Sequence, residues 1–279
     1  MSKKKRNLFL TEKRKIRVGN HWLKIRIIRP VGEPAGESTG VLWIHGGGYQ
    51  SGSSKDVYVT RALSLTVKFG AIIIAPDYRL SKRHPYPSGL QDCYAALLYM
   101  KDHAKALGIR DDQIMVGGES AGGGLTAALC MMARDRKEVN IAYQMPLYPM
   151  LDDHDTESSR DNHAKVWNTR RNHMAWKMYL KGIEDKDVSV YAAPARQTDY
   201  SGLPPAYTFV CTAEPFYCET LTFIDNLKKA GIEAAVDVYE GLYHAFDMNS
   251  PKLDISKEAI ERFNERFAYA REHYFAEQT

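Results

Sequence analysis

The sequence predicts an α/β fold: a mostly parallel central sheet with helices on both faces. Short, nearly continuous apolar runs recur along the chain, helical patterns lie between them, and glycines mark where one gives way to the other. A strand buried on both faces has no reason to alternate, so it reads as an unbroken apolar stretch.

In chain order, residues 22–27 alternate apolar and charged side chains, which suits a half-exposed antiparallel strand near the sheet edge. Residues 40–44, 71–75, 113–116 and 207–210 read as buried strands, and residues 234–239 as a last one. Leu90, Tyr94, Leu97 and Leu98 share a helical face in a segment that Gly108 ends, and Leu125, Ala128, Leu129 and Met132 share another. Phe223, Leu227 and Ala230 precede Gly231, and Ile260, Phe263, Phe267 and Ala270 mark a C-terminal helix. From about 152 to 202 the chain turns polar, with a helix-like patch at Met174 and Met178 and with Trp176 and Tyr179 on other faces. The expectation is a single domain over residues 1–279 with a cap-like insertion at about 152–202 lying over the sheet.

Composition narrows the function. With 279 residues, 44% hydrophobic and 26% charged, the chain is long enough for one sizeable core and is not a disordered sequence. The net charge of +4 is modest. Its densest basic run, Lys3 to Arg6 with Lys13, Arg14 and Lys15 following, reads as a solvated tail, and without a basic stripe on a folded element no nucleic-acid partner is expected. Residues 7–12 fall short of a secretory apolar region, and no apolar run approaches the roughly 20 residues of a membrane span. Cys93, Cys130, Cys211 and Cys218 form no Cys-x-x-Cys pair, so no metal site is expected and a reduced, cytoplasmic setting fits.

The sharpest local pattern is Gly118-Glu119-Ser120-Ala121-Gly122-Gly123, which follows a predicted strand and opens a predicted helix. That context defines a nucleophile elbow: the serine sits on a turn so tight that the positions two residues to either side must lack side chains. Taken alone, the same pattern fits a glycine-rich turn or a phosphate cradle. It is joined by His45-Gly46-Gly47-Gly48, where three glycines let the backbone approach a ligand and aim amide hydrogens at a developing oxyanion, together with the amide of Ala121. His45 ends a strand and reads as structural.

A base and an acid then follow the serine in sequence. His244 lies in a glycine-containing loop between the last strand and the last helix, whereas His154, His163 and His173 fall in the polar insertion and His273 on the final helix. Glu214 is the first carboxylate after the strand at 207–210, and Pro215 stops that strand. Its task would be to accept the second ring N–H of His244, fixing the tautomer. Glu219, Asp225, Asp237 and Asp247 are the competitors for that role.

Together these motifs resemble the hormone-sensitive-lipase-like esterases of the α/β-hydrolase superfamily. The family's His-Gly-Gly-Gly stands at 45–48, and its Gly-Asp-Ser-Ala-Gly-Gly at 118–123 with Glu119 in place of aspartate. Its segment after the fourth strand stands at 76–87, Leu203-Pro204-Pro205-Ala206 follows, and His244 and Phe246 complete the match. Two departures stand out: Glu214-Pro215-Phe216 occupies the family's Asp-Pro-Leu, and only about forty residues precede the glycine loop, which implies a reduced cap built chiefly around 167–180.

The resemblance implies an α/β-hydrolase fold and ester hydrolysis through an acyl-serine. Ser120 is the expected nucleophile, His244 the base and Glu214 the supporting acid, with Gly47, Gly48 and Ala121 as oxyanion donors. No metal or organic cofactor is implied, the expected partner is a small ester with a short acyl chain, and a homodimer is compatible. Amide or formamide hydrolysis by the same residues is the second enzymatic reading. A non-catalytic receptor is a third, disfavoured because the plant gibberellin receptors that resemble this family lack the histidine, which this chain retains at 244.

Overall fold

In a computed structural model that describes residues 8–32 and 37–278, eight strands form one sheet in the order β1-β2-β4-β3-β5-β6-β7-β8. They are β1 (Phe9–Val18), β2 (His21–Pro30), β3 (Ser38–Ile44), β4 (Ile72–Pro76), β5 (Ile109–Glu119), β6 (Tyr143–Leu147), β7 (Ala206–Cys211) and β8 (Ala234–Tyr239). From β4 to β8 every pairing is parallel, while β2 runs antiparallel to both β1 and β4. The helices are α1 (Ala62–Phe69), α2 (Ser88–Asp102), α3 (Ala104–Leu107), α4 (Ala121–Arg136), α5 (Thr169–Tyr179), α6 (Tyr217–Lys229), α7 (Phe246–Asn249) and α8 (Asp254–His273).

The strand period of two splits the core into layers on opposite faces of the sheet. Leu42, Ile44, Ile72, Ile74, Ile114 and Val116 pack with side chains of α2, α4 and α6, whereas Val41, Trp43, Ile73 and Met115 pack with α1 and α8. Helices on both faces of a mostly parallel sheet are the architecture the apolar runs predict.

Several elements differ from the sequence reading. Lys13, Arg14 and Lys15 belong to β1, an edge strand paired residue by residue with β2, and not to a tail. Charged side chains suit that place, because an edge rich in lysine discourages pairing with another chain. Lys3 to Arg6 lie outside the described residues. β6, with Pro146 inside it, carries too few residues to stand out, and α1 has no strong start signal: Arg61 at its N-cap makes no capping hydrogen bond. Gly108, left-handed at φ 73°, ends the short α3, the longer α2 having stopped at Asp102.

The 152–202 segment runs between β6 and β7. Its helix α5 buries Asn172, Ala175, Trp176 and Tyr179, spaced i, i+3, i+4 and i+7, while Met174 is 48% exposed. The apolar face therefore centres on Trp176 and Tyr179 and not on Met174 and Met178. Tyr179 stacks on Tyr49, ring centroids 3.9 Å apart, which anchors the segment to the loop that follows Gly48.

Candidate active site

Four loops at the C-terminal ends of β3, β5, β7 and β8 meet at one point, as expected for ligand sites in open α/β sheets. Ser120 stands between β5 and α4 with φ 59° and ψ −120°, a strained region for a residue with a side chain. Its backbone is held there from three directions. The Ser120 N–H donates to Leu147 O at 3.0 Å, and the Ser120 carbonyl accepts from Gly124 N–H at 3.0 Å and Met150 N–H at 3.1 Å.

The glycines explain the tightness of the turn. A Cβ on Gly118 would come within 2.6 Å of Ile44 O, and one on Gly122 would run into the carbonyl oxygens of Ile44 and His45. Any side chain at either position would push β3 away from β5. Strain is also concentrated here: of the five described non-glycine residues with positive φ, Tyr49, Ser120, Tyr148 and Ala245 all border this site. Such clustering is what a backbone held in place for function shows.

His244, 3% exposed, follows β8 and precedes α7. Its Nδ1–H donates to Glu214 Oε2, which leaves Nε2 free to accept the Ser120 hydroxyl at 2.9 Å. Glu214 is fully buried, and its other oxygen accepts Cys211 N–H at 2.8 Å. Both carboxylate oxygens are thus committed, and the tautomer of His244 follows from the partner at Nδ1. Tyr148 and Phe216 meet the imidazole edge-on at centroid distances of 4.9 and 5.0 Å, so the ring is confined on its flanks as well.

The other carboxylates are engaged elsewhere. Glu219 accepts the amides of Leu151 and Asp152, Asp225 pairs with Lys229, Asp237 accepts the Tyr207 hydroxyl, and Asp247 pairs with Arg61. Burial holds the Glu219 carboxyl well above the usual range, opposed by those two amides.

Gly47 and Gly48, at φ 103° and 59°, turn the loop after β3 across the elbow. Among the described residues, the loop and turn hydrogen bonds do not use the N–H groups of Gly47, Gly48 or Ala121 as donors. Ala121 opens a 16-residue helix, so its amide lies at the positive end of the helix dipole. His45 is structural: it stacks on Tyr78 at 4.2 Å and its Nδ1–H donates to Gly46 O, while burial lowers its pKa.

Beneath the elbow lies a buried polar network without a sequence signal. Glu119 is 1% exposed; Trp43 Nε1–H donates to it at 3.0 Å and Arg61 Nη1 lies 3.6 Å away. The motif identified Glu119 only as a replacement for aspartate, and nothing in the local pattern pointed to Arg61. Among the described residues, one cluster offers metal-type ligands, Asp152, Asp153 and His154, but Arg196 already holds both oxygens of Asp153 at 2.8 and 2.6 Å. None of the helices among the described residues is long and apolar enough to cross a membrane.

The family model described as the alpha/beta hydrolase fold matches residues 41–248. The chain belongs to this family, in the hormone-sensitive-lipase-like group its motifs resemble. It is similar to the esterase LipI of Mycobacterium tuberculosis, 29% identical over 228 residues that span 81% of this chain and 71% of the relative. It is also similar to carboxylesterase NlhH of the same organism, 30% identical over 214 residues, spanning 74% of this chain and 66% of NlhH. Among solved structures, a bacterial heroin esterase matches with a TM-score of 0.85 at 33% identity, over 90% of this chain and 82% of that one. An esterase of Pyrobaculum calidifontis matches with a TM-score of 0.82 at 30% identity, over 91% and 83%.

Proposed function

We propose that the protein is a serine carboxylesterase acting on short-chain esters. The observation that carries the reading is the hydrogen-bonded line from the Ser120 hydroxyl through His244 to Glu214, built on a strained elbow. The names of the similar proteins, esterases and a carboxylesterase, support the same chemistry.

In this mechanism Ser120 Oγ attacks the ester carbonyl while His244 Nε2 takes its proton. The carbonyl oxygen becomes an oxyanion facing the amides of Gly47, Gly48 and Ala121, each such donor being worth on the order of 100- to 1000-fold in turnover. The tetrahedral intermediate collapses, the C–O bond to the alcohol breaks, and His244 returns the proton to the leaving oxygen. Water then attacks the acyl-serine, with His244 again accepting and returning the proton, which releases the acid and restores the hydroxyl. Glu214 holds the imidazole in the working tautomer and stabilises imidazolium. None of these steps calls on a metal or organic cofactor.

Labelling by an organophosphate tests the reading. The wild type is expected to gain one phosphonyl or phosphoryl group on Ser120 and lose turnover of p-nitrophenyl acetate, while the folded Ser120→Ala variant takes up no label and has no turnover. Ester hydrolysis that persists in the variant rules the mechanism out. A rate comparison of an acetyl ester with the matching amide separates this reading from amide hydrolysis.

A further inference from the structure

Ser120 and His244 are 7% and 3% exposed, so little of the reacting pair is open to solvent. The half-buried Trp167, from the segment between β6 and β7, stands beside the imidazole of His244. Its indole lies on the glycine loop so closely that a Cβ on Gly48 would run into Cη2 and come within 3.1 Å of Cζ2. Its ring centroid is 6.4 Å from that of His244 and 6.3 Å from that of Phe216.

The indole is held in place. Its Nε1–H donates to Asn172 Oδ1 at 3.2 Å, and Asn172 is 1% exposed on α5, a helix capped by the Asn168 side chain. Swinging the indole away would leave a buried acceptor unpaired, which costs more than an ordinary rotamer change.

Resting on the ester-hydrolase reading above, we propose that Trp167 sets the size limit for the alcohol half of the ester. The leaving oxygen must come within hydrogen-bond reach of His244 Nε2 to receive its proton, so the alcohol skeleton extends on the imidazole side of the tetrahedral carbon. The acyl chain is a different substituent of that carbon and points away from the imidazole. Trp167 occupies space bounded by the imidazole, Phe216 and Gly48, so it walls the side on which the alcohol leaves.

Two substrate series test this in the wild type, Trp167→Phe and Trp167→Ala. One series varies the alcohol from ethyl to hexyl in acetate esters, followed by acid release. The other keeps p-nitrophenol and varies the acyl group from acetyl to hexanoyl. Trp167→Ala is expected to raise kcat/KM for hexyl acetate relative to ethyl acetate by about tenfold or more, the discrimination a few methylenes provide in an apolar pocket. The acyl-series ratio is expected to stay within about twofold, and Trp167→Phe to fall between on the alcohol series. An unchanged alcohol ratio, a change confined to the acyl series, or an equal loss across both series overturns the proposal. Should Trp167→Ala fail to fold, Trp167→Phe decides by the same ratios. Ester turnover that is absent from the wild type or persists in Ser120→Ala counts against the ester-hydrolase reading itself, whereas Ser120-dependent turnover with an unmoved alcohol ratio counts against Trp167 alone.

Discussion

Arg61, at the start of α1, and Asp247, three residues beyond His244, form an ion pair whose side chains are 2% and 1% exposed. The pair ties one face of the sheet to the loop that carries the imidazole. The same guanidinium lies 3.6 Å from Glu119, the residue before Ser120, and Nη1–H donates to the Tyr148 hydroxyl at 3.2 Å. It also stands over the ring of Phe209 at 4.6 Å. One cation therefore serves two buried carboxylates, one attached to the elbow and the other to the histidine loop. Tyr148, edge-on to His244, links this network to the imidazole.

Arg61→Met is expected to destabilise the protein by about 3–5 kcal/mol, because it strands the buried Asp247 carboxylate without its counter-ion. Urea unfolding measures the change. A loss below about 1 kcal/mol, the value typical of an exposed pair, would mean that the charges are already neutral or hydrated.

Glu119 lies farther from the Arg61 guanidinium than Asp247 does, and its burial favours the protonated form. Burial pushes its pKa from the ordinary 4.5 to about 7, opposed by Arg61 and by the hydrogen bond from Trp43. Between those two values the folded state binds more protons than the unfolded state, so this group's contribution to stability falls as pH rises through the window and levels off above it. Glu119→Gln keeps an acceptor for Trp43 and removes the titration. Urea midpoints from pH 4.5 to 8 are expected to fall less steeply in the variant. Glu219 is common to both proteins and cancels in the difference, so parallel profiles would contradict the assignment.

Glu214→Gln is expected to lower kcat for p-nitrophenyl acetate by about 10⁴-fold, because the amide no longer fixes the Nδ1–H tautomer of His244. A loss smaller than about tenfold would move the supporting role to another carboxylate, with Asp247 the first to test.

Legibility followed range. The buried strands at 40–44, 71–75 and 113–116 were readable because a strand covered on both faces writes an apolar run into contiguous residues. The elbow was readable for a similar reason: Gly118 and Gly122 are required by contacts with Ile44 and His45 that any side chain would violate, so the constraint appears as residue identity. β1 was not, because an edge strand with charged outward positions reads like a solvated tail. β6 was not, since five residues carry little periodicity and Pro146 speaks against a strand.

By itself, then, the chain declared its fold class and nominated Ser120, His244 and Glu214, since sharp turns and glycine loops leave local marks. The three-dimensional arrangement alone decided that Glu214 Oε2 faces Nδ1 while Asp247 turns to Arg61, that Trp167 lies on Gly48, and that Tyr179 pins its helix to Tyr49. Those contacts join residues 30 to 186 positions apart. A side chain chosen for a distant partner bears no periodic trace of it, so such pairings emerge only when the sheet brings its loops together.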